Sequence, residues 1–279
     1  MPYSAEISRN SPTAILFLLD QSSSMLEPFG GQPDKRKADG VADALNRLLQ
    51  NLCLKCAKAD GIRDFFHVGM IRYGGRVESA FSGALAGQTL VPVSRIANNP
   101  LRVEMRTRKV DDGAGGLTDQ NFKFPVWFEA HPTGRTPMCE AFAKAKEFLS
   151  AFIGVQPQCY PPIVINITDG QPTDGDPREA AKSIRALASQ DGAVLLFNAH
   201  ISDKQNRPIE FPAEEGMLPD DFARLLFRMS SELPPKLLDA AKADGFAVGP
   251  QSRGFVFNAD LVAVIRFLDI GTRVAQSVR

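Results

Sequence analysis

The sequence of 279 residues predicts an α/β fold, in which helices cover both faces of a doubly wound, mostly parallel sheet. Strand-like and helix-like segments alternate along the chain from Ala14 onward. The run from Ala14 to Leu19 and the run from Pro161 to Thr168 are largely apolar, which is typical of strands buried on both faces. Right-handed crossovers would then place every strand-to-helix loop at one edge of the sheet.

The first third of the chain predicts strands at 13–19, 65–73 and 77–81, and a helix from Lys35 to Lys58. The helix is indicated by apolar residues at helical spacing. These are Val41, Ala44, Leu45, Leu48, Leu49 and Leu52. Gly74 and Gly75 favour a two-residue hairpin turn, so the strand at 77–81 is expected to be an antiparallel edge strand.

The second half of the chain continues the alternation of helices and strands. It predicts helices at 137–153, 176–190, 220–229, 235–243 and 260–274. It predicts strands at 161–168, 193–200 and 254–258.

Residues 82–132 predict an insertion within a single domain that spans 1–279. Apolar and polar residues alternate from Leu101 to Arg108 and again from Phe122 to Glu129, which is the period of a strand. The glycine-rich segment from Asp111 to Gly116 between them is typical of a loop. The segment is therefore interpreted as an inserted β-hairpin.

The composition excludes several classes of protein. Hydrophobic residues make up 44% of the chain, enough for a sizeable core, and the formal net charge of zero disfavours a general nucleic-acid binder. The first residues do not resemble a secretory signal, and no apolar stretch is long enough to span a bilayer. A cytoplasmic protein is expected.

The four cysteines include the pair Cys53 and Cys56, whose spacing is that of half a zinc or redox site. The pair lies within a helical pattern, and no second Cys or His pair follows at a suitable distance. Buried free thiols are therefore expected.

Oxygen-bearing side chains follow two of the predicted buried strands and precede a helix. Asp20, Ser22 and Ser24 come directly after the first strand, Thr136 precedes the helix at 137–153, and Asp169 directly follows the strand at 161–168. Carboxylates and hydroxyls suit a hard divalent cation. If the three loops meet at one edge of the sheet, they form a metal site there.

These motifs resemble those of von Willebrand factor A-type (vWA) domains with a metal-ion-dependent adhesion site (MIDAS). Asp20, Ser22 and Ser24 match the family's Asp-x-Ser-x-Ser, and Thr136 and Asp169 match its later Thr and Asp. Two sequence segments are also similar to motifs of the family. They are Gly-Arg-Thr-Pro-Met at 134–138 and Ile-Thr-Asp-Gly-Gln-Pro-Thr-Asp at 167–174. The resemblance covers most of the chain except the insertion.

The resemblance implies the vWA fold, no catalytic residue, and one Mg²⁺ or Mn²⁺ ion. By the same resemblance, the hydroxyls of Ser22, Ser24 and Thr136 are direct ligands, while Asp20 and Asp169 mostly hold waters or orient hydroxyls. An ion with neutral direct ligands attracts an acidic side chain of a protein partner. A bacterial stress, defence or signalling system is implied, with an AAA+ ATPase, a kinase or a phosphatase as partner. The segment from Leu218 to Pro234 resembles the tellurium-resistance-associated branch.

Two other functions stay open from the sequence. Haloacid-dehalogenase-like phosphatases also carry an Asp after the first strand, but they need a second Asp two residues later, where this chain has Ser22. A nucleic-acid-associated module could use the basic residues of the insertion.

A surface for the partner is proposed on the insertion. It comprises Arg102, Arg106, Arg108 and Trp127, with His131 at the rim of the metal site. The opposite side is expected to be apolar and covered by the domain or a partner. It comprises Leu101, Val103, Met105, Phe122, Phe124 and Phe128. The alternative is that the hairpin only shields an edge of the sheet.

Overall fold

The computed structural model of the chain describes residues 2–29, 32–111, 116–202 and 207–271. The centre of the predicted loop at 111–116 and the last residues of the predicted helix at 260–274 lie outside the described residues.

Among the described residues, the strands form a central sheet and several two-stranded sheets. In chain order they are β1 (Thr13–Asp20), β2 (Pro28–Phe29), β3 (Gln32–Arg36), β4 (Ala57–Lys58), β5 (Gly61–Ile62), β6 (Phe66–Tyr73), β7 (Val77–Ser79), β8 (Val91–Pro92), β9 (Arg102–Asp111), β10 (Leu117–Val126), β11 (Ile163–Thr168), β12 (Ala188–Ser189), β13 (Gly192–Ala193), β14 (Leu195–Ile201), β15 (Ile209–Glu210) and β16 (Phe255–Ala259).

The helices alternate with the strands of the central sheet. In chain order they are α1 (Lys37–Cys56), α2 (Val93–Ala97), α3 (Met138–Val155), α4 (Arg178–Arg185), α5 (Asp221–Met229), α6 (Pro235–Ala243) and α7 (Leu261–Gly271).

The central sheet has the strand order β15-β16-β14-β11-β1-β6-β7, and β8 also pairs with β6. The five strands β16, β14, β11, β1 and β6 are parallel. β7 pairs antiparallel with β6, as the sequence predicted. β15 is a second antiparallel edge strand, which the sequence did not indicate.

Helices bury both faces of this sheet, which confirms the predicted fold class. Alternate residues of β1 face opposite sides: Ile15 and Phe17 pack in one core with α1, α6 and α7, whereas Leu16 and Leu18 pack in the other with α3, α4 and α5. Every residue of β1 is buried, which explains its continuous apolar run.

Three local predictions were wrong. Residues 32–36 form the second strand of a small β2–β3 hairpin, so α1 begins at Lys37 rather than Lys35. The helix predicted at 176–190 ends at Arg185, because β12 and β13 turn the chain back on itself. The turn after β6 has three residues rather than two, since Tyr73 pairs with Val77.

The inserted residues do form an antiparallel hairpin, β9–β10. Asn46 of α1 anchors its base: Asn46 Oδ1 accepts from the backbone N–H groups of Trp127 and Phe128 (2.8 and 3.0 Å), and Asn46 Nδ2 donates to Phe128 O (2.9 Å). Asn46 lies about 13 Å along the helix from Lys37. The hairpin is thus set back from the carboxyl edge of the sheet.

Candidate metal site

Asp20 ends β1 and is fully buried. Its Oδ1 accepts from the backbone N–H of Ser22 (2.8 Å), and its Oδ2 accepts from Thr168 Oγ1 (2.7 Å). Burial raises the pKa of the Asp20 carboxyl from 3.8 to about 6, since the hydrogen bonds offset desolvation only in part. This carboxylate shapes the loop after β1 and places a negative charge behind it.

Ser22, Ser24 and Asp169 form a continuous row of oxygen atoms. Ser22 Oγ lies 3.0 Å from Ser24 Oγ, and Ser24 Oγ donates to Asp169 Oδ1 at 2.7 Å. Because β1 and β11 are neighbouring parallel strands, their carboxyl ends carry Asp20 and Asp169 to the same edge. The structure therefore brings together four of the five predicted metal-site residues.

Thr136, the fifth residue, is buried and faces the same space. A Cβ added to Gly170 would lie 3.8 Å from Ser24 Oγ and 3.8 Å from Thr136 Oγ1. The two hydroxyls thus flank one small gap, which is kept open by the absence of a side chain at 170. Thr136 N donates to Thr173 Oγ1 at 3.1 Å, so the two loops that follow β10 and β11 are tied together.

Gln21 connects the loop after β1 to the loop that carries Thr136. Its backbone O accepts from Thr133 N (2.6 Å), and its side-chain Oε1 accepts from His131 N (2.7 Å). A Cβ on Gly74 would lie 2.3 Å from Gln21 O, so only glycine allows this approach. The His131 side chain is exposed beside these loops.

Lys37 is a residue of this site that sequence reasoning missed. Its Nζ donates to Asp169 Oδ2 (3.0 Å) and to Glu27 Oε2 (2.8 Å). The side chains of Lys37 and Asp169 are only 4% and 1% exposed. A lysine at the first position of a helix opposes the helix dipole, which is a signal that it has a carboxylate partner. The β2–β3 hairpin supplies one, because it places Glu27 beside Lys37.

The donor set fits a small divalent cation. Neighbouring oxygens around an octahedral Mg²⁺ at about 2.1 Å are about 3.0 Å apart, which matches the 3.0 Å between Ser22 Oγ and Ser24 Oγ. Among the described residues, no group of three or more His, Cys, Asp or Glu side chains is arranged to hold a metal. Hydroxyls would therefore make up most of the protein's direct ligands here.

A chain of buried polar side chains crosses the sheet beneath the site. Tyr73 Oη donates to Asn166 Oδ1 (2.7 Å), Asn166 Nδ2 donates to Asn198 Oδ1 (3.0 Å), and Asn198 Nδ2 donates to Ser230 Oγ (2.9 Å). Burial raises the pKa of the Tyr73 phenol well above 10, so it stays a donor. The chain links β6, β11 and β14 beneath the edge of the sheet that carries the site.

The partner surface proposed on the hairpin is not supported by the packing. Trp127 is 3% exposed, and its Nε1 donates to Ile96 O (2.7 Å), so it is a core residue and not a surface anchor. Phe124 pairs with Glu104 and Phe122 with Arg106, which places both rings on the face that carries the arginines. The prediction that Phe122 and Phe124 share a face with Val103 and Met105 was wrong. Both Val103 and Met105 are exposed.

Most of the hairpin's positive charge is neutralised by neighbouring carboxylates. Arg102 pairs with Glu104 and Glu129, Arg106 pairs with Glu104 and Asp43, and Lys109 pairs with Asp119. Arg108 instead donates to Gln120 Oε1. These pairs disfavour a nucleic-acid interface on the hairpin.

All four cysteines are free thiols, as predicted. Burial raises the pKa of Cys53 and Cys56 to about 12 each. Thiols with such pKa values are poor nucleophiles at neutral pH.

No model of a known protein family and no curated protein matches this chain. Among solved structures, it is similar to proximal thread matrix protein 1 from the mussel byssus with a zinc-occupied MIDAS motif, at 14% identity over 95% of this chain and 48% of that one, with a TM-score of 0.52. A second structure of the mussel protein gives 14% identity, 95% and 47% coverage, and a TM-score of 0.51. Manganese-loaded TRAP protein of Plasmodium vivax gives 15% identity, 93% and 72% coverage, and a TM-score of 0.44.

The likeness to the mussel structures shows that the chain has the vWA fold. The chain spans about half of the length of those structures. None of the helices among the described residues is long and apolar enough to cross a membrane.

Proposed function

We propose that the protein is a metal-dependent interaction module, which binds an acidic side chain of a protein partner through one Mg²⁺ or Mn²⁺ ion. The observation that carries the proposal is the row of hydroxyls from Ser22 and Ser24 toward Thr136, with Asp20 and Asp169 placed behind it. Ser22, Ser24 and Thr136 would hold the ion. Asp20 and Asp169 would orient these hydroxyls or hold waters.

The charges around the site favour an external carboxylate. Hydroxyl ligands are neutral, and Lys37 already compensates the charge of Asp169. The bound ion would therefore keep much of its positive charge and attract a carboxylate from outside. Two uncompensated aspartates at the same place would weaken that attraction.

The same residues support an interaction site better than a phosphatase. Phosphatases of the haloacid-dehalogenase type need an acidic residue two positions after the first Asp, and Ser22 stands there. We propose that the protein has no catalytic activity. Incubation with p-nitrophenyl phosphate and Mg²⁺ tests this, and turnover that depends on Asp20 would contradict it.

The sequence resemblance supports a finer proposal. The partner would be an AAA+ ATPase, a kinase or a phosphatase of a bacterial stress, defence or signalling system in the cytoplasm. Residues 218–234 suggest that the protein is related to the tellurium-resistance-associated branch of the family. An affinity pull-down with and without Mg²⁺ would test which partner class is bound.

Calorimetry tests the metal site itself. Titration of Mg²⁺ or Mn²⁺ into the chelator-treated protein should show one ion per chain, and Asp20→Ala should weaken its binding at least tenfold. Asp176→Ala is the matched control, because Asp176 is an exposed carboxylate that pairs with Arg178 outside the site. Equal affinity in wild type and Asp20→Ala would contradict the proposed function.

A further inference from the structure

A cavity of about 520 Å³ opens directly beside the candidate metal site. We call it the side pocket; its lining includes Ser24, Asp169, His200, Ile209, Met217 and Phe257. Its volume lies within the range of about 300–1,000 Å³ typical of ligand pockets. Ser24 and Asp169 belong to both the side pocket and the metal site, so a ligand on the metal stands at the entrance of the pocket.

The sheet order explains this position. β14 is the next parallel strand after β11, and His200 pairs with Thr168, the residue before Asp169. The carboxyl end of β14 therefore lies one strand, about 4.8 Å, beyond the end that supplies Asp169. β16 follows β14 and contributes Phe257.

Beyond Asp169, the lining of the side pocket combines an aromatic and aliphatic wall with the polar residues Ser202, Arg207 and Asp220. The rings of His200 and Phe257 are stacked, with centroids 4.5 Å apart and an angle of 8° between their planes. Asn258 N donates to His200 Nδ1 (3.3 Å), which fixes the imidazole in this stack. Ile209 lines the same wall, and Met217 at the rim is 60% exposed. Such a wall suits an apolar or aromatic side chain.

The near wall is charged. It contains Asp169, Lys37 and Glu27, and the bound ion of the proposed function would add positive charge to it. A ligand that complements both walls carries a carboxylate at one end and an apolar group at the other.

We propose that the side pocket receives an apolar or aromatic side chain that lies one or two residues from the metal-binding carboxylate in the partner's sequence. The inference rests on the proposed function, because the metal sets the position of that carboxylate. Successive residues of an extended chain are about 3.3 Å apart, so a side chain one or two residues away reaches the pocket from a carboxylate beside Ser24. The site would then select an acidic residue flanked by apolar residues, rather than any carboxylate.

Three peptide probes test the inference. The apolar probe is acetyl-Ser-Leu-Phe-Asp-Phe-Leu-Ser-amide, the polar probe has Ser at the four Leu and Phe positions, and the neutral probe has Asn in place of Asp. Binding is followed in Mg²⁺ by calorimetry and by the NMR signals of methionine methyl groups labelled with ¹³C. Met105 is the matched control for Met217, because it is 64% exposed but lies on the hairpin.

The apolar probe should bind at least fivefold more tightly than the polar probe, and it should shift the signal of Met217 and not that of Met105. Met217→Ser should reduce this preference without changing the affinity for Mg²⁺, and Met105→Ser should leave both unchanged. Equal Mg²⁺-dependent binding of the apolar and polar probes would overturn the inference and leave the proposed function standing.

Other outcomes separate the two proposals. The apolar probe in EDTA, or the neutral probe in Mg²⁺, could shift the NMR signal of Met217 as much as the apolar probe does in Mg²⁺. The metal would then not anchor the peptide, which contradicts both the proposed function and the inferred spacing between the carboxylate and the apolar side chain. If no probe binds at millimolar concentration in Mg²⁺, although calorimetry shows the ion bound, the inference is overturned while the metal site stands.

Discussion

Replacing Asp20 by Asn should stabilise the metal-free protein while removing its metal binding. Burial raises the pKa of Asp20 from 3.8 to about 6, so ionisation of this group opposes folding. The stability that its neutral form contributes is present below pH 4 and is lost as the pH rises through 6. The rise of about two units in this pKa lowers the free energy of unfolding by at most about 3 kcal/mol at pH 8, and by about half of that at pH 5.

The asparagine can keep the hydrogen bonds of the aspartate. Its Oδ1 can accept from Ser22 N, and its Nδ2 can donate to Thr168 Oγ1, whose own proton can then go to Gly170 O at 3.1 Å. The buried site would lose its charge while keeping both hydrogen bonds that the aspartate makes.

Urea unfolding with EDTA at pH 8 and pH 5 measures the effect. At pH 8, the free energy of unfolding of Asp20→Asn should exceed that of wild type by up to about 3 kcal/mol, and its melting temperature should be about 6 °C higher. At pH 5, this gain in stability should be smaller. Asp176→Asn, at an exposed position, should stay within about 0.5 kcal/mol of wild type. Adding Mg²⁺ should stabilise only proteins that retain Asp20. If Asp20→Asn is less stable than wild type at pH 8 in EDTA, the buried charge of Asp20 does not oppose folding.

Two further predictions concern neighbours of the site. Lys37→Met should raise the affinity for Mg²⁺ about three- to tenfold, because a positive charge beside Asp169 is removed. The control Lys35→Met, which loses an ion pair with Asp43, should leave the affinity unchanged. Weaker Mg²⁺ binding in Lys37→Met, measured by calorimetry, would contradict this prediction. Asn166→Ala should lower the free energy of unfolding by about 2–4 kcal/mol, because Tyr73 Oη and Asn198 Oδ1 lose their hydrogen bonds to Asn166. Tyr73→Phe should make this loss smaller, and additive losses in urea unfolding would argue against a coupled network.

The central sheet and the convergence of the five candidate residues at one edge could be predicted, because their signals are local. Buried parallel strands have continuous apolar runs, and each oxygen-bearing loop directly follows a strand or precedes a helix. The sheet topology then brings Asp20 and Asp169 together without further information. Whether these residues bind an ion stays a prediction.

Lys37 and the faces of the inserted hairpin could not be predicted in the same way. Lys37 depends on the β2–β3 hairpin, whose polar residues have no clear period. In the hairpin β9–β10, the cross-strand register determines which side chains share a face. A shift of one residue in that register would move each strand's side chains to the opposite face. Register there is set by packing of Phe124 and Trp127 against the domain, which residue alternation within each strand does not reveal.

The side pocket is also a product of tertiary structure. Its walls come from the ends of β14 and β16 and from the residues around Met217, which are distant in sequence. Only the strand order places them beside Asp169.

Anomalous X-ray diffraction from crystals soaked in MnCl₂ tests whether the hydroxyls hold a metal ion. We expect one strong manganese peak per chain, about 2.2 Å from the hydroxyl oxygens of Ser22 and Ser24, and near Thr136. Asp20 and Asp169 should lie behind the hydroxyls, with waters or an external carboxylate completing the coordination. A map without a peak at these hydroxyls, or with the ion held elsewhere by carboxylates alone, would contradict the account.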